Sequence, residues 1–92
     1  MFKTNEYFDG KVKSIAFDHA GQAATIGVMA PGDYTFNTST KEEMSVITGS
    51  LIVKLADQET RTYHKGDSFQ VAENTSFEVT AHSETSYLCL YD

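Results

Sequence analysis

The sequence predicts an all-β protein of one domain, a small barrel or sandwich, and three observations carry that reading. At 92 residues the chain has room for one domain, since domains run to about 100–200 residues. Turn-forming clusters interrupt it roughly every 10–15 residues, a spacing suited to short antiparallel strands. These are Asp9-Gly10, His19-Ala20-Gly21-Gln22, Ala30-Pro31-Gly32-Asp33, Thr48-Gly49-Ser50, Ala56-Asp57-Gln58-Glu59, Lys65-Gly66-Asp67 and Glu73-Asn74-Thr75. Between the clusters, side chains tend to alternate in character with a period of two, as a half-buried strand requires.

Taken in order, Lys11–Phe17 sets Val12, Ser14 and Ala16 on one face and Lys13, Ile15 and Phe17 on the other. Ala24–Met29 and Asp33–Phe36 follow, separated by the only proline, Pro31, in a turn sequence. Met44–Ile47 and Leu51–Leu55 flank Thr48-Gly49-Ser50, which reads as a short hairpin loop. In Thr40–Met44, Thr40 is followed three residues later by Glu43, a capping-box spacing. Strand residues follow at once, so little or no helix is expected. Thr60–His64 and Ser68–Val71 come next, and Phe77, Val79 and Ala81 then alternate with Glu78 and Thr80. The last strand, Ser86–Tyr91, carries Tyr87, Cys89 and Tyr91 on one face and Leu88 and Leu90 on the other. Apolar on both faces, it should be covered on both, and in so small a protein another subunit is a candidate for the second cover.

Composition narrows the function classes. Hydrophobic residues are 40% and charged residues 22% of the chain, ordinary globular usage. Thirteen acidic residues against seven basic ones give a net charge of −6. Such a surface repels phosphate backbones and anionic head groups, so neither a nucleic-acid polymer nor a membrane is an expected partner. No apolar run is long enough to span a bilayer, and Met1-Phe2-Lys3-Thr4-Asn5-Glu6 does not read as a secretory signal. Cys89 is the single cysteine, so an intrachain disulfide and a Cys-rich zinc site are both excluded. A cytoplasmic location is expected. A chain of this length buries only roughly 60–65% of its unfolded surface, so self-association would help it.

Glu42-x6-Gly49 and Gly66-x5-Ala72-x-Asn74-x2-Phe77 keep the spacing of the two motifs of the cupin barrel, G-x5-H-x-H-x3,4-E-x6-G and G-x5-P-x-G-x2-H-x3-N. The chain therefore resembles a single-domain cupin-like barrel, an RmlC-like jelly roll. Counting from Glu42 puts Phe36 and Thr38 at the first two histidine positions, and Phe77 stands at the third. The motif's first glycine falls at Ala30, with Gly32 close by. A divalent ion needs about four protein ligands, or three with open positions. Only Glu42 of that set remains, so no bound metal is expected. His19, His64 and His82 fall on turns or loops and do not replace the lost ligands.

A closer resemblance spans nearly the whole chain. Asn5-Glu6-Tyr7-Phe8-Asp9-Gly10-Lys11-Val12-Lys13-Ser14-Ile15, then Gly27-Val28-Met29 with Pro31-Gly32-Asp33-Tyr34-Thr35-Phe36, then Glu42-Glu43-Met44-Ser45-Val46-Ile47-Thr48-Gly49, and finally Thr85-Ser86-Tyr87-Leu88-Cys89-Leu90-Tyr91 occur in one order. Together they resemble the small bacterial pyrimidine/purine nucleoside phosphorylase family. The departure is Ala72-Glu73-Asn74, where the family tends to carry a Pro-Gly pair, a change in loop geometry more than in chemistry. The resemblance implies reversible phosphorolysis of diverse purine and pyrimidine nucleosides to free base and α-D-ribose 1-phosphate. Inorganic phosphate is then co-substrate, with no metal or organic cofactor, and the enzyme is a cytoplasmic homodimer.

That chemistry needs an anion-holding group for phosphate, a carboxylate near the ribose and a flat slot for the base. Phe36, Thr38 and Phe77 are the candidates at the former metal positions, because stacking accepts any base. The same phenyl rings also suit simple filling of a barrel interior. Glu42 and Glu43 are adjacent and so face opposite ways, and motif spacing selects Glu42 as the catalytic carboxylate. Arg61, the only arginine, has the planar fork that suits phosphate, and Lys11 and Lys13 share a strand face. Tyr34 and Tyr87, with Tyr7, are candidate hydrogen-bond donors to ribose or base. Ser14 and Ser86 lack a His–Asp partner, Cys89 reads as a small buried hydrophobe, and no Gly-rich phosphate loop is present. Two other readings stand beside this one: a non-catalytic cupin that binds a nucleoside or sugar, and a metal-dependent cupin enzyme, against which the lost histidines argue.

Overall fold

Alternation along the chain resolves into ten strands in the computed structural model, which describes residues 2–92. They are β1 (Lys3–Tyr7), β2 (Val12–His19), β3 (Gln22–Met29), β4 (Gly32–Asn37), β5 (Glu42–Thr48), β6 (Ser50–Lys54), β7 (Arg61–His64), β8 (Ser68–Val71), β9 (Ser76–Ala81) and β10 (Thr85–Tyr91). The described residues contain no helix, and Thr40–Met44 leads straight into β5 without forming the capping box. Among those residues there is accordingly no helix long and apolar enough to cross a membrane.

Every ladder is antiparallel. The strands form a six-stranded sheet, β1-β2-β3-β10-β5-β8, and a four-stranded sheet, β4-β9-β6-β7. The fold is thus all-β as expected, while the hydrogen-bonded ladders stay in two sheets and do not close into one barrel. Val12, Met29, Met44 and Val46 of the larger sheet pack with Leu51, Val53, Phe77 and Val79 of the smaller in one buried cluster. That cluster is what holds the sheets face to face.

The sequence reading begins the first strand at Lys11 and misses β1. The reason is that β1 shows no alternation: four of its five residues are exposed and Asn5 is half-buried. It is held instead by its ladder to β2, from Lys3 opposite Ala16 to Tyr7 opposite Val12. Register between β10 and β5 jumps from Ser86 opposite Thr48 to Tyr87 opposite Val46. The extra residue is Ile47, a β-bulge that leaves this side chain 36% exposed on the outer surface.

The departure at Ala72-Glu73-Asn74 is absorbed by the backbone. Asn74 takes the left-handed conformation at φ +55°, which asparagine tolerates better than most residues, so it fills the glycine position of the motif. Thr38 secures the same turn: its hydroxyl donates to the Ala72 carbonyl at 2.7 Å and accepts from the Thr75 N–H at 3.1 Å.

Candidate active site

Part of the inner face of the larger sheet is polar where a core would be apolar. Ser14 on β2, Thr25 on β3 and Glu42 on β5 point inward beside Tyr87, Cys89 and Tyr91 of β10. Most of these groups face a cavity of about 520 Å³ between the sheets, a volume that suits a small molecule. The opposite wall is aromatic. Phe36 and Phe77 are cross-strand partners in the β4–β9 ladder, and their rings stack at 5.7 Å and 29°. Tyr7 and Phe8, where β1 turns into β2, also line it.

Among the described residues, Glu42 is the only formally charged one lining this cavity. Burial raises its pKa above the usual carboxylate value, and a hydrogen bond from Cys89 partly offsets the rise. That bond runs from the Cys89 thiol to Glu42 Oε1 at 3.3 Å. Burial, then the nearby Glu42 charge, push the thiol itself up to about 12, so at neutral pH it is a donor and not a nucleophile. Tyr91 extends the chain of contacts: its hydroxyl lies 2.9 Å from Thr25 Oγ1 and also interacts with Cys89. Burial likewise pushes Tyr87 up to about 12, so its phenol stays a neutral donor. Gly27 makes room for that phenol. A Cβ there would sit 2.5 Å from Tyr87 Oη and 2.9 Å from the Lys13 carbonyl oxygen, so no larger residue fits.

Of the residues singled out in the sequence, Tyr7, Phe36, Glu42, Phe77 and Tyr87 line this cavity together. Glu43 is exposed on the other face of β5. Thr38 does not line the cavity, because its hydroxyl is committed to the turn at Ala72. Tyr34 is buried behind it and donates to the Ala30 carbonyl at 2.6 Å. The cations stand elsewhere. Arg61 is exposed on β7 with its guanidinium 5.6 Å over the Tyr63 ring. Lys13 faces outward in a 3.3 Å ion pair with Glu6, and Lys11 is exposed in the turn before β2.

Phe8, Asn37, Met44 and Tyr91 line the cavity without having been candidates in the sequence. For Tyr91 a signal existed, since it shares its strand face with Tyr87 and Cys89. Asn37 and Phe8 sit at strand ends, where alternation says nothing about direction.

A larger depression, about 750 Å³, lies on the outer face of the same sheet. Its floor is aliphatic, with Ile15, Ile26, Val28 and Ile47, and its charged groups are only the Glu6–Lys13 pair. It has the makings of a contact surface and lacks groups for chemistry.

The pyrimidine/purine nucleoside phosphorylase family profile matches residues 2–91. A pyrimidine/purine nucleoside phosphorylase of Aeromonas salmonicida is 52% identical over 90 residues, covering 97% of this chain and 96% of its own. That of Teredinibacter turnerae is 54% identical over 93 residues, covering 100% and 99%. Among solved structures, a protein of unknown function from Vibrio parahaemolyticus superposes with a TM-score of 0.96 at 45% identity, covering 100% of this chain and 99% of the other. A protein of Salmonella typhimurium LT2 described as a putative ethanolamine utilization protein gives 0.77 at 16% identity, covering 99% and 93%, and shares the fold alone. The chain belongs to the pyrimidine/purine nucleoside phosphorylase family.

Proposed function

We propose that this protein is a metal-independent nucleoside phosphorylase, a pentosyltransferase that uses the cavity between its sheets. A purine or pyrimidine nucleoside and inorganic phosphate are converted reversibly to free base and α-D-ribose 1-phosphate. A phosphate oxygen attacks C1′ as the C1′–N bond breaks. The bonding pair leaves with the base nitrogen, which takes up a proton. The observation that carries this reading is the pairing of one half-buried carboxylate, Glu42, with a stacked Phe36–Phe77 wall in one nucleoside-sized cavity.

Each wall has a task. The phenyl ring of Phe36, backed by the buried Phe77, offers an apolar face to any heterocycle, which suits both base classes. Glu42 accepts hydrogen bonds from ribose hydroxyls and faces the positive charge that develops on the sugar. Its raised pKa reports an anion short of compensating charge. A cationic sugar supplies that charge, so the interaction strengthens toward the transition state. Cys89 holds the carboxylate in place through its thiol. Phosphate meets neutral donors, the hydroxyls of Ser14, Tyr7 and Tyr87, which line the same cavity. No metal or organic cofactor takes part, because Phe36, Thr38 and Phe77 offer a divalent ion no imidazole where a cupin would hold one.

The protein works as a cytoplasmic homodimer through the outer face of the six-stranded sheet. Ile15 pairs with Ile26, and Ile26 with Leu88, so three strands present a continuous aliphatic row. Ile15, Ile26 and Val28 remain 44%, 43% and 52% exposed, which a solitary chain of this size gains nothing from. The Glu6–Lys13 pair places both signs of charge beside that row, so the patch is complementary to itself under two-fold symmetry.

The test incubates the purified protein with uridine or adenosine, with and without phosphate, before and after a chelator. Phosphate-dependent release of free base that survives the chelator supports the proposal. Binding without release supports a nucleoside-binding protein, a reading favoured by the lack of a cation lining the cavity. Activity abolished by the chelator supports a metal enzyme and overturns the proposal.

A further inference from the structure

The turn that joins β1 to β2 is unfavourable for the residue it carries. Phe8 and Asp9 both adopt left-handed backbone, at φ +54° and +56°, and Gly10 follows at +84°. Glycine takes that conformation freely and aspartate tolerates it, whereas a phenylalanine there is a strained outlier. The turn does not owe its shape to the ring. Its hydrogen bonds are backbone ones, Gly10 N–H to the Tyr7 carbonyl at 3.1 Å and Lys11 N–H to the Phe8 carbonyl at 3.2 Å. Nor is the strain offset by deep burial, for Phe8 is 41% exposed.

The ring is nonetheless placed. Its centroid lies 4.9 Å from Tyr34 and 5.5 Å from Phe36, edge-on to the latter at 85°. It lines the cavity that holds Glu42. A ring that lines a cavity and meets solvent at the same time stands at the opening. Backbone strain of this kind clusters at ligand-contacting positions, where the surrounding structure holds it in place.

We infer that Phe8 is a substrate contact, an aromatic edge that covers the outer side of the nucleobase once it lies against Phe36 and Phe77. The inference rests on the nucleoside reading above and adds to it the residue that closes the open side of the slot. Phe8 then contributes to affinity for purines and pyrimidines alike, because it offers a ring and no hydrogen-bonding group.

Four variants test it: F8G and F8N, which suit the left-handed backbone but lack the ring; F8L, which keeps apolar bulk without a ring; and F8W, which restores one. The readouts are thermal unfolding midpoint, nucleoside Kd by calorimetry, and kcat and KM for uridine and adenosine. For F8G and F8N, the expected midpoint is at or above that of wild type, because the backbone strain is relieved. Their Kd and KM rise about ten-fold for both nucleosides while kcat changes less than about two-fold. F8L follows them, and F8W returns Kd to within about three-fold of wild type. The inference is overturned if Kd and KM of F8G and F8N match wild type, or if both weaken only together with a fall in midpoint, the mark of a structural residue. Should wild-type protein bind nucleosides but release no base, the phosphorylase reading falls while the Kd comparison still decides the role of Phe8. Should wild type bind no nucleoside at all, both are overturned.

Discussion

The two faces of one six-stranded sheet have been put to opposite uses. Along β2, β3 and β10, the inner face carries Ser14, Thr25, Gly27, Tyr87, Cys89 and Tyr91, and the outer face carries Ile15, Ile26, Val28 and Leu88. Successive side chains on a strand point opposite ways, so each strand supplies both faces at once. Around the cavity, hydrophobicity is inverted relative to a simple sandwich, with polar groups inward and aliphatic ones outward, while Val12, Met29, Met44 and Val46 keep the rest of the inner face apolar. The inner face has enough hydroxyls, thiol and carboxylate to satisfy one another around a cavity, and no buried side-chain polar atom among the described residues lacks a partner. The outer face of these strands is mainly aliphatic, its polar groups limited to such pairs as Glu6–Lys13 and Thr48–Ser86, and is suited to association. Because the strands are shared, dimer formation would brace the sheet that holds the site.

Breaking the chemistry of the inner face should give the largest effect. Glu42→Gln is expected to lower kcat for phosphorolysis by about a hundred-fold or more while nucleoside Kd changes little. Wild-type kcat/KM should fall on the acid side with an apparent pKa above the usual Glu value, because burial raises Glu42. The same shift has a stability consequence of opposite sense. Between its unfolded and folded pKa the native state binds more protons, so stability falls as pH rises through the folded value. E42Q therefore unfolds at a higher temperature than wild type at neutral pH, and the difference closes at or below the ordinary Glu pKa of about 4.3. Thermal scans of the two proteins across pH check this directly.

Breaking the outer face should act on assembly. Ile26→Glu puts a carboxylate in the middle of the aliphatic row, where two-fold apposition would bury it. Affinity in the proposed dimer should weaken by roughly a hundred-fold or more, seen in sedimentation as a shift toward a 10.2 kDa species. If Ile26→Glu sediments as wild type does, the outer face is not the dimer contact.

A smaller effect is expected where the two faces touch through the backbone. Gly27→Ala drives a methyl into Tyr87 Oη and the Lys13 carbonyl. Overpacking of this kind costs about 1–3 kcal/mol, read as a lower denaturant midpoint. Because Tyr87 must move, nucleoside affinity should fall with it. The smallest effect belongs to Arg61→Ala. Its guanidinium rests on Tyr63 at an exposed strand, away from both depressions, so stability should change by less than about 0.5 kcal/mol and kcat by less than about two-fold. A large loss of activity in this variant would return Arg61 to the site.

Much of this division is legible in the sequence. Turn residues and alternation locate nine of the strands, and a period of two is enough to put Tyr87, Cys89 and Tyr91 on one face of β10. Motif spacing then separates Glu42 from Glu43. The remaining features leave no such trace, for physical reasons. β1 is polar on both sides and held by its ladder alone, so it has no pattern to find. Phe8 sits in a turn whose left-handed backbone sends its ring toward Tyr34 and Phe36, a direction that strand alternation does not encode. Arg61, Lys11 and Lys13 are attractive as charges, but charge type says nothing about which edge of which sheet a residue occupies. Thr38 matches a ligand position by count, yet a hydroxyl is short enough to be captured by the neighbouring turn.

The account turns on where a nucleoside sits, and methyl NMR of protein labelled at methionine and isoleucine methyls reads that position directly. Met44 lines the inner cavity, whereas Ile15, Ile26 and Ile47 line the outer depression. Saturating uridine in the presence of phosphate should move the Met44 resonance, through ring currents from the bound base, and leave the three isoleucine methyls where they are. Shifts of Ile15, Ile26 and Ile47 with Met44 unmoved would place the ligand on the outer face and contradict the assignment of chemistry to the inner one.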